Sequence, residues 1–200
     1  MPRQARIYFP GGVFHIISRC LNREFLIDSA LERRYYLALL DKALKRTDAK
    51  VLAWCLMSNH IHLVVRAGED PLARLMKAVH VGYANWKNKR DRRIGPVFAE
   101  RYKTVLVEED AHLLELVRYV HLNPVRAGVS EHPDANDWSS HRYYAGLSKP
   151  PAWLDTGTVL SQFADEKADA HPRYRAFIDD GLASERSALL SGHETSATVR

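Results

Sequence analysis

Two strand-like apolar runs, Val51 to Met57 and Ile61 to Val65, are separated only by Ser58-Asn59-His60. So short a gap suggests a tight antiparallel hairpin, and that hairpin constrains the fold more than any other feature of the chain. The remaining elements must be arranged around it. Val13 to Cys20 follows the break Pro10-Gly11-Gly12, is rich in β-formers and reads as a further strand. Asp28-Ser29 offers an N-cap to a helix over Leu31 to Arg46, whose apolar residues fall at 36, 37, 39, 40, 43 and 44. Pro71 opens a second helix through Leu75, Met76 and Val79 to Trp86. Val97 to Val107 reads as one more strand or a strand pair, reached by a basic loop around Gly95-Pro96.

Glu108-Glu109-Asp110 places three carboxylates where a helix macrodipole favours them, and Pro124 predicts that this third helix stops at Asn123. The order is therefore β-α-β-β-α-β-α. It predicts an α+β fold, a mainly antiparallel sheet with helices on one face. Residues 1–129 form the expected core domain. Residues 130–200 are expected as a helical C-terminal appendage, ending in a loose tail from Ser184 that is rich in Ser, Ala and Thr.

With 46% apolar and 26% charged residues the composition is that of a globular protein, which excludes disorder as the main state. The longest apolar stretch has seven residues, too few to span a bilayer, and the N-terminal residues lead into no apolar segment of the signal-peptide kind. Cys20 and Cys55 lie 35 apart in apolar surroundings, without metal-type spacing. Buried free thiols in a cytoplasmic protein are the expectation.

The net charge of +5 conceals a division. Residues 1–107 hold 20 basic and 9 acidic side chains, whereas 108–200 hold 9 and 15. Lys87 to Lys103 alone carries seven basic residues against two acidic ones. Charge of this kind suits a polyanion, nucleic acid first, or simply a solvated surface. The acidic end suggests a further expectation, that residues 155–200 fold over the basic cleft and restrain it; a passive appendage is the alternative.

Two motifs bear chemistry. On a strand, His60, His62 and Val64 share one face, while Ile61, Leu63 and Val65 share the other. Two imidazoles side by side can chelate one divalent ion, although His-x-His by itself also describes a pair of structural histidines. In the third helix, Leu113, Leu114, Val117 and Val120 form an apolar stripe, and Tyr119 and Asn123 share a different face. Together these groups suggest a mechanism. Neutral imidazoles and an amide oxygen would leave the charge of Mg²⁺ or Mn²⁺ uncancelled, able to polarise a phosphodiester that the Tyr119 hydroxyl attacks. A covalent phosphotyrosine conserves the bond's energy, and the chain has no Walker-type glycine loop.

Met57-Ser-Asn-His-Ile-His-Leu-Val-Val65 and Arg118-Tyr-Val-His-Leu-Asn-Pro-Val-Arg-Ala-Gly128 resemble the HUH single-strand DNA transposases of the insertion-sequence-200-like superfamily. The resemblance is greatest to the REP-associated tyrosine transposases. Pro10-Gly-Gly12, Gly95-Pro-Val-Phe98, Arg101-Tyr-Lys103, Trp138-Ser-Ser140 and Trp153-Leu-Asp155 follow that pattern in order, so it covers about residues 3–155. The resemblance implies a ferredoxin-like sheet, metal ligands at His60 and His62, and the nucleophile at Tyr119. Asn123 stands where many relatives carry a glutamine as third ligand.

It also implies an endonuclease and strand transferase that cuts single-stranded DNA beside a hairpin and keeps the 5′ end on the tyrosine, working as a monomer or a homodimer. Lys87, Lys89, Arg90, Arg92, Arg93, Arg101 and Lys103 are the expected DNA-binding cations, with Trp86, Phe98 and Tyr102 nearby for stacking. Arg118 and Arg126 flank the tyrosine and are expected at the scissile phosphate, a salt bridge to Glu115 being the alternative for Arg118. Two other readings stay open at this point: a hairpin-binding regulator without cleavage, and a zinc hydrolase, for which no third ligand is spaced.

Overall fold

The protein is described here from a computed structural model that covers residues 8–108 and 110–190. Strand β1 (Val13–Arg19) leads through a single turn at Leu21–Arg23 to helix α1 (Ala30–Leu44). Strands β2 (Lys50–Leu56) and β3 (His60–Arg66) form the hairpin. Helix α2 (Leu72–Asp91), strand β4 (Lys103–Val107) and helix α3 (Asp110–Arg126) follow. The strands pair antiparallel in the order β2-β3-β1-β4, so β1 and β3 lie at the centre. With a β-α-β-β-α-β chain order, this is the ferredoxin-like arrangement, and the expected α+β class holds.

Local chemistry explains the elements. Ser29 caps α1 in a reciprocal box: its hydroxyl accepts from the Glu32 amide at 3.3 Å, and the Glu32 carboxylate accepts from the Ser29 amide at 2.7 Å. Alternation in β1 and β3 sends Phe14, Ile16, Ile61, Leu63 and Val65 into one core, which Tyr36, Leu40, Met76, Val79 and Tyr83 of α1 and α2 complete. The opposite face is not bare, as a single helical layer would leave it. Val64, Leu52 and Cys55 meet Leu113, Val117 and Val120 of α3, together with Val159, Leu160, Tyr174 and Ile178 from further along the chain.

The residues expected as an appendage are thus built into the second core. Short helices α4 (His141–Tyr144) and α5 (Gly157–Leu160) precede the long α6 (Lys167–Leu190), which packs on α3, α4 and α5. Residues 138–155 also run along the outer edge of β2. The Leu56 amide donates to the Trp138 carbonyl at 2.8 Å, the Ser140 amide to Trp54 at 2.9 Å, and the Asp155 amide to Val51 at 2.9 Å. The Tyr144 hydroxyl donates to the Leu52 carbonyl.

Three local expectations change. The segment read as a strand over 97–107 is strand only from Lys103; Phe98 makes an isolated bridge with Cys20 instead. Helix α2 runs five residues beyond Trp86, to Asp91, so the start of the basic segment is helical. Helix α3 passes through Pro124 to Arg126, because a proline in the last turn leaves almost no helix after it to disrupt. The expected cover of residues 155–200 over the basic cleft is replaced by the packing of α6 on α3, with the tail beyond 190 outside the described residues. No helix among the described residues is long and apolar enough to cross a membrane.

Candidate active site

Antiparallel pairing of β1 with β3 sets Ile17 opposite His62 and His15 opposite Val64. His15 and His62 are therefore diagonal neighbours on one face, and His60 stands on the same face two residues away. His15 Nε2 lies 2.8 Å from His62 Nδ1, with the rings stacked at a centroid separation of 5.1 Å. His60 Nδ1 lies 2.6 Å from Asn59 Oδ1, and the His60 and His62 rings meet edge to face at 4.9 Å.

Each of the two sequence-predicted imidazoles thus has its Nδ1 engaged by a neighbour, and Nε2 is the nitrogen left for a cation. Burial keeps them neutral. It holds His62, only 3% exposed, well below the usual histidine pKa, with His15 and His60 nearby adding to the effect. His15 is brought down to about 4 by burial. His60 is lowered by burial as well, against a hydrogen bond to the Asn123 side chain that works the other way.

Helix α3 carries Tyr119 and Asn123 over these rings. Its stripe of Leu113, Val117 and Val120 is buried against the sheet, so the neighbouring face meets the histidines. The Tyr119 ring stands edge-on to His62 at 5.6 Å and to His15 at 6.1 Å. Asn123 Nδ2 donates to the Tyr119 carbonyl at 2.9 Å, which leaves Oδ1 as the atom able to serve as a ligand. Two helical turns beyond Tyr119, the Arg126 guanidinium lies over the phenol ring at 4.6 Å.

A buried polar chain fixes α3 in this position. His121 Nε2 is 2.6 Å from Ser140 Oγ, and His121 Nδ1 is 2.8 Å from the Tyr174 hydroxyl, which also lies 2.8 Å from His141 Nδ1. His141 Nε2 continues to Asp134 at 2.7 Å, and Asp134 to Arg175 at 2.7 Å. The Trp138-Ser139-Ser140 motif, far from Tyr119 in sequence, therefore bears on the same helix.

The structure unites His60, His62, Tyr119, Asn123 and Arg126, and it adds His15. His15 was read only as part of a strand; the available signal was its parity with Ile17 and Arg19 on β1, which becomes informative only once the pairing with β3 is known. Among the described residues, no group of three or more His, Cys, Asp and Glu side chains is arranged to hold a metal ion. Two imidazoles and one amide oxygen are a different donor set. Three neutral donors would leave the charge of a divalent ion uncancelled and its remaining positions open to water.

The expected DNA-binding cations divide. Lys87, 5% exposed, is spent on Glu32 and on Asp91 at 2.7 Å, and Arg90 is spent on the same two carboxylates. Lys87 is therefore a core ion pair and leaves the DNA-facing set. Arg93 pairs with Glu24 at 3.1 Å and Lys103 with Glu100 at 3.4 Å. Lys89, Arg92 and Arg101 are exposed without an ion pair among the described residues. Arg118 turns away from Tyr119 toward α6, where it meets Asp180 at 3.6 Å, lies over Phe177 at 4.4 Å and pairs with Glu115 at 2.5 Å. Gly181 makes room for it, since a Cβ there would fall 2.5 Å from Arg118 Cδ.

The aromatics expected as platforms are packed. Trp86 stacks on Tyr35 at 4.2 Å, Phe98 on His80 at 4.1 Å, and Tyr102 is buried.

Residues 10–123 match the family described as Transposase IS200 like. The chain belongs to that family. The match takes in both the histidine pair and Tyr119 with Asn123, and it makes the protein a transposase, a DNA-processing role. Comparison with curated proteins finds no match. Among solved structures, a REP-associated tyrosine transposase bound to a REP hairpin shares the fold with a TM-score of 0.61 at 17% identity, over 79% of this chain and 96% of its own. A protein of Deinococcus radiodurans R1, provisionally described as a transposase, aligns at a TM-score of 0.42 and 15% identity over 60% of this chain and 95% of its own.

Proposed function

We propose that this IS200-like transposase is a metal-dependent endonuclease and strand transferase for single-stranded DNA, acting beside hairpins of the REP type. The observation that carries the reading is the packing of the Tyr119 ring against His62, with Asn123 and Arg126 on the same helix. A solved relative in fold was captured on a REP hairpin, which supports the choice of DNA.

His60, His62 and Asn123 would hold the ion. When bound, Mg²⁺ or Mn²⁺ supplies Lewis-acid polarisation of the scissile phosphodiester. The Tyr119 hydroxyl attacks the phosphorus, an O–P bond forms to the 5′ side, and the bond to the 3′ oxygen breaks. One proton passes overall from the phenol to the departing 3′ oxygen. Arg126, over the phenol ring, is placed to pair with the phosphate as its charge grows. One phosphodiester has been exchanged for another, so attack by a different 3′ hydroxyl rejoins DNA without ATP.

The test is a denaturing gel of the full chain incubated with Mn²⁺ and stem-loop DNA. A covalent protein–DNA band is expected, absent in Tyr119→Phe. A gel shift under native conditions with no covalent band in the wild type would make the protein a binder only. Cleavage without the band would make it a hydrolase.

A further inference from the structure

Two loops border the His60 end of the site: residues 21–25 after β1, and residues 92–97 after α2. Asn22 (φ 52°), Arg23 (φ 58°) and Arg92 (φ 51°) are the non-glycine residues at positive φ among the described residues, and all three lie here. Left-handed backbone is unfavourable for side-chain-bearing residues, and it concentrates where function requires a fixed loop shape. The most exposed large apolar side chains among the described residues lie here too: Ile94 at 101% and Phe25 at 67%. Neither belongs to either core.

The loops are braced together. Arg93 pairs with Glu24 at 3.1 Å, and the Leu21 amide donates to the Val97 carbonyl at 2.9 Å. Inside the second loop, the Arg93 amide donates to the Asn88 carbonyl at 2.9 Å, and Asn88 Nδ2 donates to the Gly95 carbonyl at 2.8 Å. Gly95 turns at φ 108°, a conformation closed to side-chain-bearing residues, so the chain presents Ile94 at a held corner.

Asn59 joins this rim to the site: its Nδ2 reaches the Arg23 carbonyl at 3.5 Å, while its Oδ1 holds His60. The charge is one-sided. Glu24, Asp91 and Glu100 are each matched by a basic partner, whereas Arg23, Lys89, Arg92 and Arg101 are exposed and make no ion pair among the described residues.

We propose that this two-loop rim grips the unpaired nucleotides next to the scissile phosphate, Phe25 and Ile94 packing against bases while Arg23 and Arg92 meet the backbone. It rests on the reading of the site as a DNA nickase. Exposed apolar side chains among cations fit a strand whose bases and phosphates alternate, and apolar wedges against unstacked bases are a recurring mode of DNA contact. A membrane surface would also accept such side chains, but Asn59 ties the rim to the phosphate-handling centre.

The experiment uses the full chain, a stem-loop DNA with an unpaired flank of randomised sequence, the same stem blunt-ended, and vesicles of anionic phospholipid. Phe25→Ser and Ile94→Ser alter exposed positions, so their melting curves are expected to match the wild type. Each is expected to weaken binding of the flanked stem-loop by about 10-fold and to leave the blunt stem unchanged. The rim assignment is overturned if both variants bind the flanked DNA like the wild type, if the blunt stem loses equally, or if the property lost is vesicle binding. A wild type that forms the Tyr119 adduct beside such variants overturns the rim alone. A wild type that neither binds DNA nor forms the adduct removes the nickase reading, and the rim with it.

Discussion

His15 Nε2 and His62 Nδ1 stand 2.8 Å apart across two paired strands. For His62 Nε2 to offer a lone pair to a metal, the ring's proton must sit on Nδ1 and be donated to His15, whose own proton then sits on its Nδ1. His15→Phe keeps an aromatic ring but removes the acceptor. Titration calorimetry with Mn²⁺ should show affinity lowered about 10–100-fold, the usual effect of losing such a supporting contact. His15→Gln, which restores an acceptor, should recover part of it. Equal affinity in His15→Phe and wild type would remove His15 from the metal site.

Arg126 lies over the ring of the proposed nucleophile. Arg126→Ala should slow adduct formation by about 10²-fold, in the range for loss of one donor to a transition-state oxyanion. Lysine should restore little, because a point charge does not reproduce a planar fork. Single-turnover rates at saturating DNA separate this effect from weakened binding.

Glu32 is buried, caps α1 and pairs with Lys87 and Arg90. Burial pushes its pKa up, but the Lys87 contact, the Ser29 amide, Arg90 and the Asp28 amide together outweigh that and hold it at about 2. The stabilisation from this carboxylate is fully present above the unfolded value of 4.5 and is lost as pH falls toward 2. Glu32→Gln keeps a capping side chain but removes one of the two carboxylates on the buried Lys87, leaving Asp91 at 2.7 Å as its ion pair. It should cost about 2 kcal/mol at neutral pH and flatten the acid limb of a denaturation series.

Truncation after Leu154 would remove Val159, Leu160, Tyr174 and Ile178 from the core beneath α3, and with Tyr174 the hydroxyl shared by His121 and His141. Such a chain should melt far below the full chain and lose activity. A truncated chain that melts normally and cleaves faster would instead revive a restraining role for this segment.

Periodicity alone placed the order of the elements, the common face of His60 and His62, and the pairing of Tyr119 with Asn123 on one side of a helix. These are local properties, set within a few residues. What local pattern could not carry were pairings across long stretches of chain. The partner of His62 comes from β1, 47 residues earlier, through strand register. Lys87 looked like the start of a solvated basic run, yet it turns inward to a carboxylate 55 residues away. Pro124 read as a helix stop because the bias it exerts is real, but the two helical residues after it are enough to carry Arg126 round to Tyr119.

Residues 138–155 occupy the outer edge of β2, taking hydrogen bonds that a fifth strand would need. That side of the sheet is sealed against annealing to another polypeptide. Among the described residues the open margin is β4, five residues long and begun by a lysine, a poor template for runaway stacking. Freshly made copies at high local concentration can therefore fold without zipping into aggregates through their sheets.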